Sequence, residues 1–168
     1  MNRPKPINLD TAFEVALVLL VVVFLIWNFG FSHPLDRYLP DFDAESAELC
    51  YVLCWEWGNG KSRELEYSFD PQSDEYEGLI ELLHSTKYRR HFSNVLPDDH
   101  SHSISIDPSA DIYIRQAGTV YSFSLYGDSM AIGDSDQDEF TPRGGKAFQE
   151  SVVAYVMEHG TLTEINEY

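Results

Sequence analysis

Basic residues are scarce in this chain. Its 168 residues include 11 Lys and Arg against 28 Asp and Glu, which gives a formal net charge of −17. Residues 1–32 contribute nothing to this excess, because Arg3 and Lys5 balance Asp10 and Glu14. The acidic charge therefore belongs to the rest of the chain, where it favours solubility. Because phosphate backbones and anionic lipids repel such a surface, we expect no nucleic-acid partner.

Cysteine is rarer still, with only Cys50 and Cys54 in the chain. On a strand, these positions share one face at a separation of ~13 Å, since each residue advances ~3.3 Å. A disulfide needs Cα atoms within ~7 Å, so the pair cannot close on a strand, although a helix would bring them nearer. A zinc site would need further ligands close by. We expect two free, partly buried thiols, with pairing between molecules as a minor alternative, and we expect no cofactor.

The most prominent feature that is present is an apolar run near the N-terminus. Val15–Trp27 has thirteen residues without a polar side chain, and residues 12–31 contain only one charged side chain, that of Glu14. A helix of twenty residues covers ~30 Å, the thickness of the hydrocarbon core of a bilayer. We therefore predict a transmembrane helix at 12–31. A cleaved signal peptide, with Gly30-Phe31-Ser32 as its cleavage site, is the main alternative.

Flanking charge predicts the orientation of this helix. Arg3 and Lys5 precede it, whereas Arg37 is the only Lys or Arg in the ~20 positions that follow. Since positive charge favours the cytoplasmic side, residues 1–11 are predicted to be cytoplasmic. The remaining chain would then lie outside, held by a single-pass anchor in the cell membrane.

The order of the remaining segments predicts an α+β domain. Residues 32–44 contain Pro and Asp without periodicity and are interpreted as a linker. The spacing of apolar residues in 45–160 is typical, in order, of two strands, a helix, about four strands and a second helix. This order favours an antiparallel sheet covered on one face by two helices, with the other face polar or in contact with a partner. Residues 161–168 are interpreted as a tail that forms a last strand or is disordered.

The first two strands also predict a register. Gly58-Asn59-Gly60 suits a three-residue hairpin turn, because Gly adopts positive φ readily. Pairing Trp57 with Lys61 then places Leu53 opposite Leu65 and collects the apolar partners on one buried face.

Five side chains are candidates for binding a partner. They are Trp55, Trp57, Lys87, Arg89 and Arg90. The two Trp residues suit either core packing or an aromatic binding surface. The three basic residues concentrate positive charge in an acidic domain, where they either contact an anion or partner or complement the carbonyl groups at a helix C-terminus.

Metal binding is an alternative function. Asp98, His100 and His102 share one parity, so an extended segment would present them together as an oxygen and nitrogen ligand set. The acidic loop at 134–139 has the pattern D-x-D-x-D, but Glu stands at the sixth position, where an EF-hand requires Gly. Surface histidines and a solvated acidic loop are the ordinary interpretations of these two segments.

A hydrolase is the second alternative. The tetrapeptide Gly127-Asp128-Ser129-Met130 resembles the G-x-S-M nucleophile block of bacterial signal peptidases and self-cleaving SOS-repressor peptidases. The resemblance implies a Ser129 nucleophile with a buried Lys as its base, but the only Lys that follows is Lys146, seventeen residues on. Turn formation explains Gly-Asp-Ser equally simply. The leading hypothesis is therefore a membrane-anchored, extracytoplasmic binding domain without catalytic activity.

Overall fold

The computed structural model describes residues 9–58, 61–95, 109–133 and 137–168. The chain divides into an N-terminal unit that ends at Phe31 and a domain that spans Ser32–Tyr168. Each unit is compact in itself.

The N-terminal unit is a single helix. Helix α1 (Leu9–Leu25) continues into a π-helical turn at Ile26–Gly30. The stretch Ala12–Gly30 has a mean hydropathy of 2.5, and none of its residues is buried within the structure. The described part of the chain contains one helix that is long and apolar enough to span a membrane, and it is this helix.

The described part of the domain contains eight strands and two α-helices. The strands are β1 (Ala47–Gly58), β2 (Lys61–Phe69), β3 (Tyr88–Arg90), β4 (Ser109–Gln116), β5 (Thr119–Tyr126), β6 (Ser129–Gly133), β7 (Gln137–Pro142) and β8 (Thr161–Glu167). The helices are α2 (Asp74–His84) and α3 (Lys146–His159). Short 3₁₀ turns occur at Leu35–Arg37, Ala44–Ser46 and Phe92–Val95.

The strands form one antiparallel sheet in the order β3-β7-β6-β5-β4-β1-β2-β8. The α+β fold predicted from the sequence is thus confirmed. One detail differs from the predictions, and another decides between two predicted alternatives. Residues 137–139 of the predicted acidic loop belong to strand β7, and the C-terminal segment forms β8 at the edge of the sheet next to β2.

Both helices bury an apolar face in the core. Helix α2 begins where the Ser73 hydroxyl accepts a hydrogen bond from the backbone N–H of Tyr76, an N-cap of the usual kind. Its residues Tyr76, Leu79 and Leu83 follow the helical period and are buried. The strands contribute the alternate residues of one sheet face, among them Cys50, Val52, Cys54, Leu65, Tyr67, Phe69, Ile112, Ile114, Phe123 and Leu125.

The predicted register of the first hairpin is wrong by one residue. Gly58 pairs with Lys61, so the loop has two residues, and Leu65 lies opposite Cys54 rather than Leu53. Leu53 instead faces Glu66. Because both sides of β1 are apolar, alternation alone could not identify the buried side. In the fold, the small residues of β1 face the helices and its large residues face away from them.

The segment at 32–44 belongs to the domain and packs against the rest of it. His33 and Tyr88 exchange backbone hydrogen bonds of 2.9 and 2.7 Å along the outer edge of β3. Leu35 is 1% exposed and belongs to the hydrophobic core. Residues assigned to a linker by their composition therefore contribute to core packing.

Candidate functional site

The sheet face opposite the helices carries a strip of large apolar side chains. We call Tyr51, Leu53, Trp55 and Tyr113 the aromatic strip. The three β1 members are partly exposed, whereas the residues between them belong to the buried core. Strand periodicity explains this division, since successive side chains point to opposite faces.

Ring stacking occurs at both ends of the aromatic strip. The ring centroids of Tyr51 and Tyr113 are 4.8 Å apart, and the ring planes are 17° from parallel. These residues are direct partners on β1 and β4. At the other end of the strip, Trp55 and Tyr168 have centroids 6.4 Å apart and planes inclined by 30°. Both arrangements leave aromatic surface on the helix-free face.

Carboxylates flank the aromatic strip. Leu53 lies between Glu66 of β2 and Asp111 of β4, and Trp55 pairs with Glu64. We call Glu64, Glu66 and Asp111 the acidic flank. Within the described residues, none of these three carboxylates forms an ion pair.

Neutral groups are the hydrogen-bond partners of two of these carboxylates. The Asn166 amide donates to Glu64 Oε1 at 3.2 Å, and the Thr163 hydroxyl donates to Glu66 Oε1 at 3.1 Å. Neither contact neutralises the charge, so the acidic flank keeps its negative potential.

Burial and the charges of the acidic flank raise the pKa values of two tyrosines in the aromatic strip. Burial raises the pKa of Tyr51, and the charge of Glu66 raises it further. Burial also raises the pKa of Tyr113, followed by the effects of Asp111, Tyr51 and Glu64. Burial is the larger cause of both shifts, and the neighbouring carboxylates add to it, because negative charge disfavours a phenolate.

Nearby arginines are engaged with other carboxylates. Arg63 contacts Glu56 at 3.8 Å and Glu167 at 3.4 Å. Arg115 contacts Glu48 at 3.3 Å. Within the described residues, Arg115 is thus engaged away from Asp111, and Arg63 lies on the opposite face of β2 from Glu64 and Glu66.

A second cluster, which we call the polar corner, consists of Tyr126, Glu139, His91 and Thr141. The Tyr126 hydroxyl donates to Glu139 Oε1 at 2.9 Å, and the other oxygen of Glu139 lies 3.2 Å from His91 Nδ1. His91 Nε2 lies 2.6 Å from the Thr141 hydroxyl. Burial, together with the hydrogen bond and charge of Glu139, raises the pKa of Tyr126.

The polar corner has two chemical interpretations. Hydroxyl, imidazole and carboxylate follow one another in the order of a nucleophile, its base and the group that orients the base. The cluster also has a structural role, because the Asn94 side chain donates to the carbonyl of Glu139 at 2.9 Å and accepts from its N–H at 3.0 Å. These bonds attach the 3₁₀ turn to strand β7.

The sequence analysis missed the polar corner. His91 lies 48 positions from Glu139 and 50 from Thr141 in the chain. None of these residues belongs to a recognisable motif, so only the pairing of strands brings them together.

The predicted binding residues occupy different places. Trp55 belongs to the aromatic strip, whereas the side chain of Trp57 lies outside the described part of the structure. Lys87 and Arg89 are exposed near the opposite edge of the sheet, and Arg90 forms an ion pair with Asp138. Arg89 and Arg90 are consecutive on β3 and therefore point to opposite faces. The three basic residues do not form a single site.

The predicted metal ligands Asp98, His100 and His102 lie outside the described residues, as do positions 134–136 of the acidic loop. The described aspartate of that loop, Asp138, is paired with Arg90, and Glu139 belongs to the polar corner. Among the residues that the structure describes, no group of three or more His, Cys, Asp or Glu side chains is arranged to hold a metal.

Ser129 follows a tight hairpin turn. Gly127, with φ of 63°, and Asp128 form the two-residue loop between β5 and β6, which accounts for the Gly-Asp-Ser sequence. The carbonyl oxygen of Ser129 accepts a hydrogen bond from the buried Gln149 side chain. Lys146 instead lies 3.8 Å from Glu150. In the described residues, the hydroxyl of Ser129 has no hydrogen bond to a Lys or His.

Comparison with protein-family models, with curated proteins and with solved structures finds no match for this chain. The aromatic strip and the polar corner are therefore the two candidate sites.

Proposed function

We propose that this chain is a membrane-anchored binding module without catalytic activity, which engages a protein partner through the aromatic strip. The observation that carries the proposal is the chemistry of the outward side of β1. A sheet face left to water usually carries polar side chains, and β2 conforms with Glu64 and Glu66. The outward side chains of β1 are instead large and apolar, as in the core of a protein interface.

The proposed location rests on the N-terminal helix and on flanking charge. The Ala12–Gly30 stretch has the length and mean hydropathy of a single membrane span. Arg3 and Lys5 on its N-terminal side favour a cytoplasmic N-terminus and an acidic domain outside the cell membrane.

A reporter enzyme fused after Tyr168 tests this orientation. We expect activity from a reporter that works only outside the cytoplasm. Activity confined to a cytoplasmic reporter would refute the proposed location. The mass of the mature chain distinguishes an anchor from a cleaved signal peptide, because cleavage would remove the residues up to the site near Gly30-Phe31-Ser32.

Site-specific photocrosslinking tests the binding surface. Leu49, on the outward side of β1, is 38% exposed, and Met157 of α3 is 39% exposed, so the two positions are matched. With a photoreactive residue at each position in the full chain in cells, we expect a discrete adduct from position 49 that disappears in a Leu53→Ser background. Equal adducts from both positions, or an adduct indifferent to Leu53→Ser, would contradict the proposal.

A second candidate function is ester hydrolysis at the polar corner, with Thr141 rather than Ser129 as the nucleophile. The hydrogen-bonded order of Thr141, His91 and Glu139 is the specific observation that favours it. Binding is preferred, because the bonds of Asn94 already give this cluster a structural role. Labelling of the full chain by a fluorophosphonate probe, lost in Thr141→Ala but retained in Ser129→Ala, would replace the first proposal with the second.

A further inference from the structure

The aromatic strip and the acidic flank meet around one residue, Leu53. The register places Glu66 on one side of Leu53 and Asp111 on the other. Neighbouring strands are ~4.8 Å apart, so the Cα atoms of the two acidic residues are separated by ~10 Å across the apolar surface of Leu53. A long basic side chain laid over Leu53 can therefore reach both carboxylates.

Aromatic rings flank Leu53 on the other two sides. Tyr51 and Trp55 lie two residues before and after Leu53 on the same face, each ~6.6 Å along the strand. The stack with Tyr113 widens the surface at one end. Aromatic faces attract cations, and the attraction is strongest where the cation loses water. Carboxylates and rings thus favour the same kind of ligand.

Within the described residues, the carboxylates of the acidic flank have no ion-pair partner. In the described structure, Glu64, Glu66 and Asp111 are only partly exposed, yet they form no ion pair. Arg115, on the same face of β4 as Asp111, is paired with Glu48, whereas Arg63 lies on the opposite face of β2 from Glu64 and Glu66. Like charges gathered at one site raise its electrostatic energy, and an external cation lowers it.

Other occupants fit less well. A second copy of the chain would bring the same carboxylates together, which opposes association. Nucleic acid and anionic lipid carry the wrong charge. We infer that the occupant is a basic segment of a protein partner, with a Lys or Arg side chain lying over Leu53 between Glu66 and Asp111. This inference rests on the proposed binding function and specifies the chemistry of its partner.

The inference is tested by peptide binding to the full chain in nonionic detergent at physiological salt. The probes are a labelled peptide that alternates Lys and Ser and a peptide of equal length in which Gln replaces Lys. We expect the Lys peptide to bind at least tenfold more tightly than the Gln peptide. A triple variant, Glu64→Gln, Glu66→Gln and Asp111→Asn, should weaken binding of the Lys peptide at least tenfold.

A matched control separates the site from general attraction to an acidic protein. Glu77 and Glu81 of α2 and Glu158 of α3 are exposed carboxylates on the helices. Changing all three to Gln alters the net charge by the same amount, and we expect less than a threefold change in affinity. Circular dichroism of both triple variants confirms that each is folded.

Equal weakening of Lys-peptide binding in the two triple variants would overturn the inference. Unchanged affinity for the Lys peptide in the acidic-flank variant would overturn it as well. The Tyr51→Ala variant is a second test. Loss of this aromatic ring should weaken binding of the Lys peptide at least threefold. If the Lys peptide does not bind as expected while the crosslink from position 49 remains sensitive to Leu53→Ser, the inference about a basic partner is wrong. The aromatic strip then binds a partner of another chemistry. Loss of that crosslink specificity would instead refute the binding function itself.

Discussion

The phenol of Tyr155 donates a hydrogen bond of 3.0 Å to the carbonyl oxygen of Glu75, and its ring closes over Gly78 on the neighbouring helix. A Cβ added at Gly78 would lie 2.9 Å from Cζ of that ring and closer still to its oxygen. The contact between α2 and α3 therefore leaves room for only a hydrogen atom. This explains a glycine inside a helix, where Gly is ordinarily less favourable than Ala.

The first prediction concerns this contact. Gly78→Ala should destabilise the protein by about 1–2 kcal/mol, because displacing Tyr155 costs more than the gain in helix propensity. In a Tyr155→Ala background, the same substitution should stabilise by about 0.5–1 kcal/mol. Urea unfolding of the full chain in detergent measures both values. An equal effect of Gly78→Ala in the two backgrounds would refute the contact.

The second prediction concerns Gly160, which ends α3. Its φ of −74° is ordinary for any residue, so the requirement for Gly comes from packing. An added Cβ would lie 2.7 Å from the carbonyl oxygen of Val156 and 3.0 Å from Cβ of Tyr67. We expect Gly160→Ala to cost about 2–3 kcal/mol in chemical unfolding, as overpacking against backbone typically does.

Gly118 provides the control for this substitution. Its φ is +82°, and no atom lies within 4 Å of an added Cβ. Gly118→Ala should therefore cost only the backbone strain of about 1 kcal/mol. A larger loss at Gly118 than at Gly160 would contradict the packing explanation.

The third prediction tests the register of β1. Val52 is fully buried, whereas Leu53 is partly exposed on the helix-free face. Val52→Ser should cost about 2–4 kcal/mol, because it removes buried methyl groups and adds a buried hydroxyl. Leu53→Ser should cost about 1 kcal/mol or less in the same unfolding measurement. The opposite order would support the register first predicted from the sequence.

The fourth prediction concerns the two buried thiols. Burial raises the pKa of Cys50 to about 12, and burial followed by the charges of Glu56 and Asp111 raises that of Cys54 to about 12. In the unfolded chain both thiols ionise near pH ~8.5. The folded state therefore retains protons that the unfolded state loses, and stability should fall as pH rises from about 8.5 towards 12.

This loss is measured by comparing unfolding at pH 8 and pH 10.5 in the natural chain and in a Cys50→Ala, Cys54→Ala variant. The natural chain should lose more stability over this interval, by an amount on the order of 2 kcal/mol per thiol. Tyrosines contribute to both proteins and cancel in the comparison. Rapid reaction of the folded chain with a thiol reagent at pH 8 would contradict burial of the two residues.

The fifth prediction addresses the polar corner. Glu139→Gln replaces the carboxylate that accepts the Tyr126 hydroxyl and faces His91. We expect a loss of about 1–3 kcal/mol, since charge-assisted hydrogen bonds between partly buried groups are lost. Glu150→Gln, which affects an exposed pair with Lys146 on α3, should change stability by about 0.5 kcal/mol or less. Similar losses for both variants would argue against a structural role for the cluster.

Local patterns were sufficient for much of the architecture. The apolar run, the alternation in β5 and the helical period of α2 are properties of consecutive residues, so they could be recognised without coordinates. The two free cysteines followed from the geometry of one strand. The acidic segment was harder to interpret, because its charge indicates a loop whereas pairing with β6 makes residues 137–139 part of β7.

The sequence by itself determined an apolar helix near the N-terminus, an acidic α+β domain and the order of most of its elements. Only the tertiary structure decided which side of β1 is buried, since both sides are apolar and the choice depends on a loop length and on neighbouring strands. It also decided that Leu53 lies between two carboxylates and that His91 meets Glu139 and Thr141. Periodicity reports the spacing of side chains along one segment, whereas these sites arise from contacts between segments far apart in the chain.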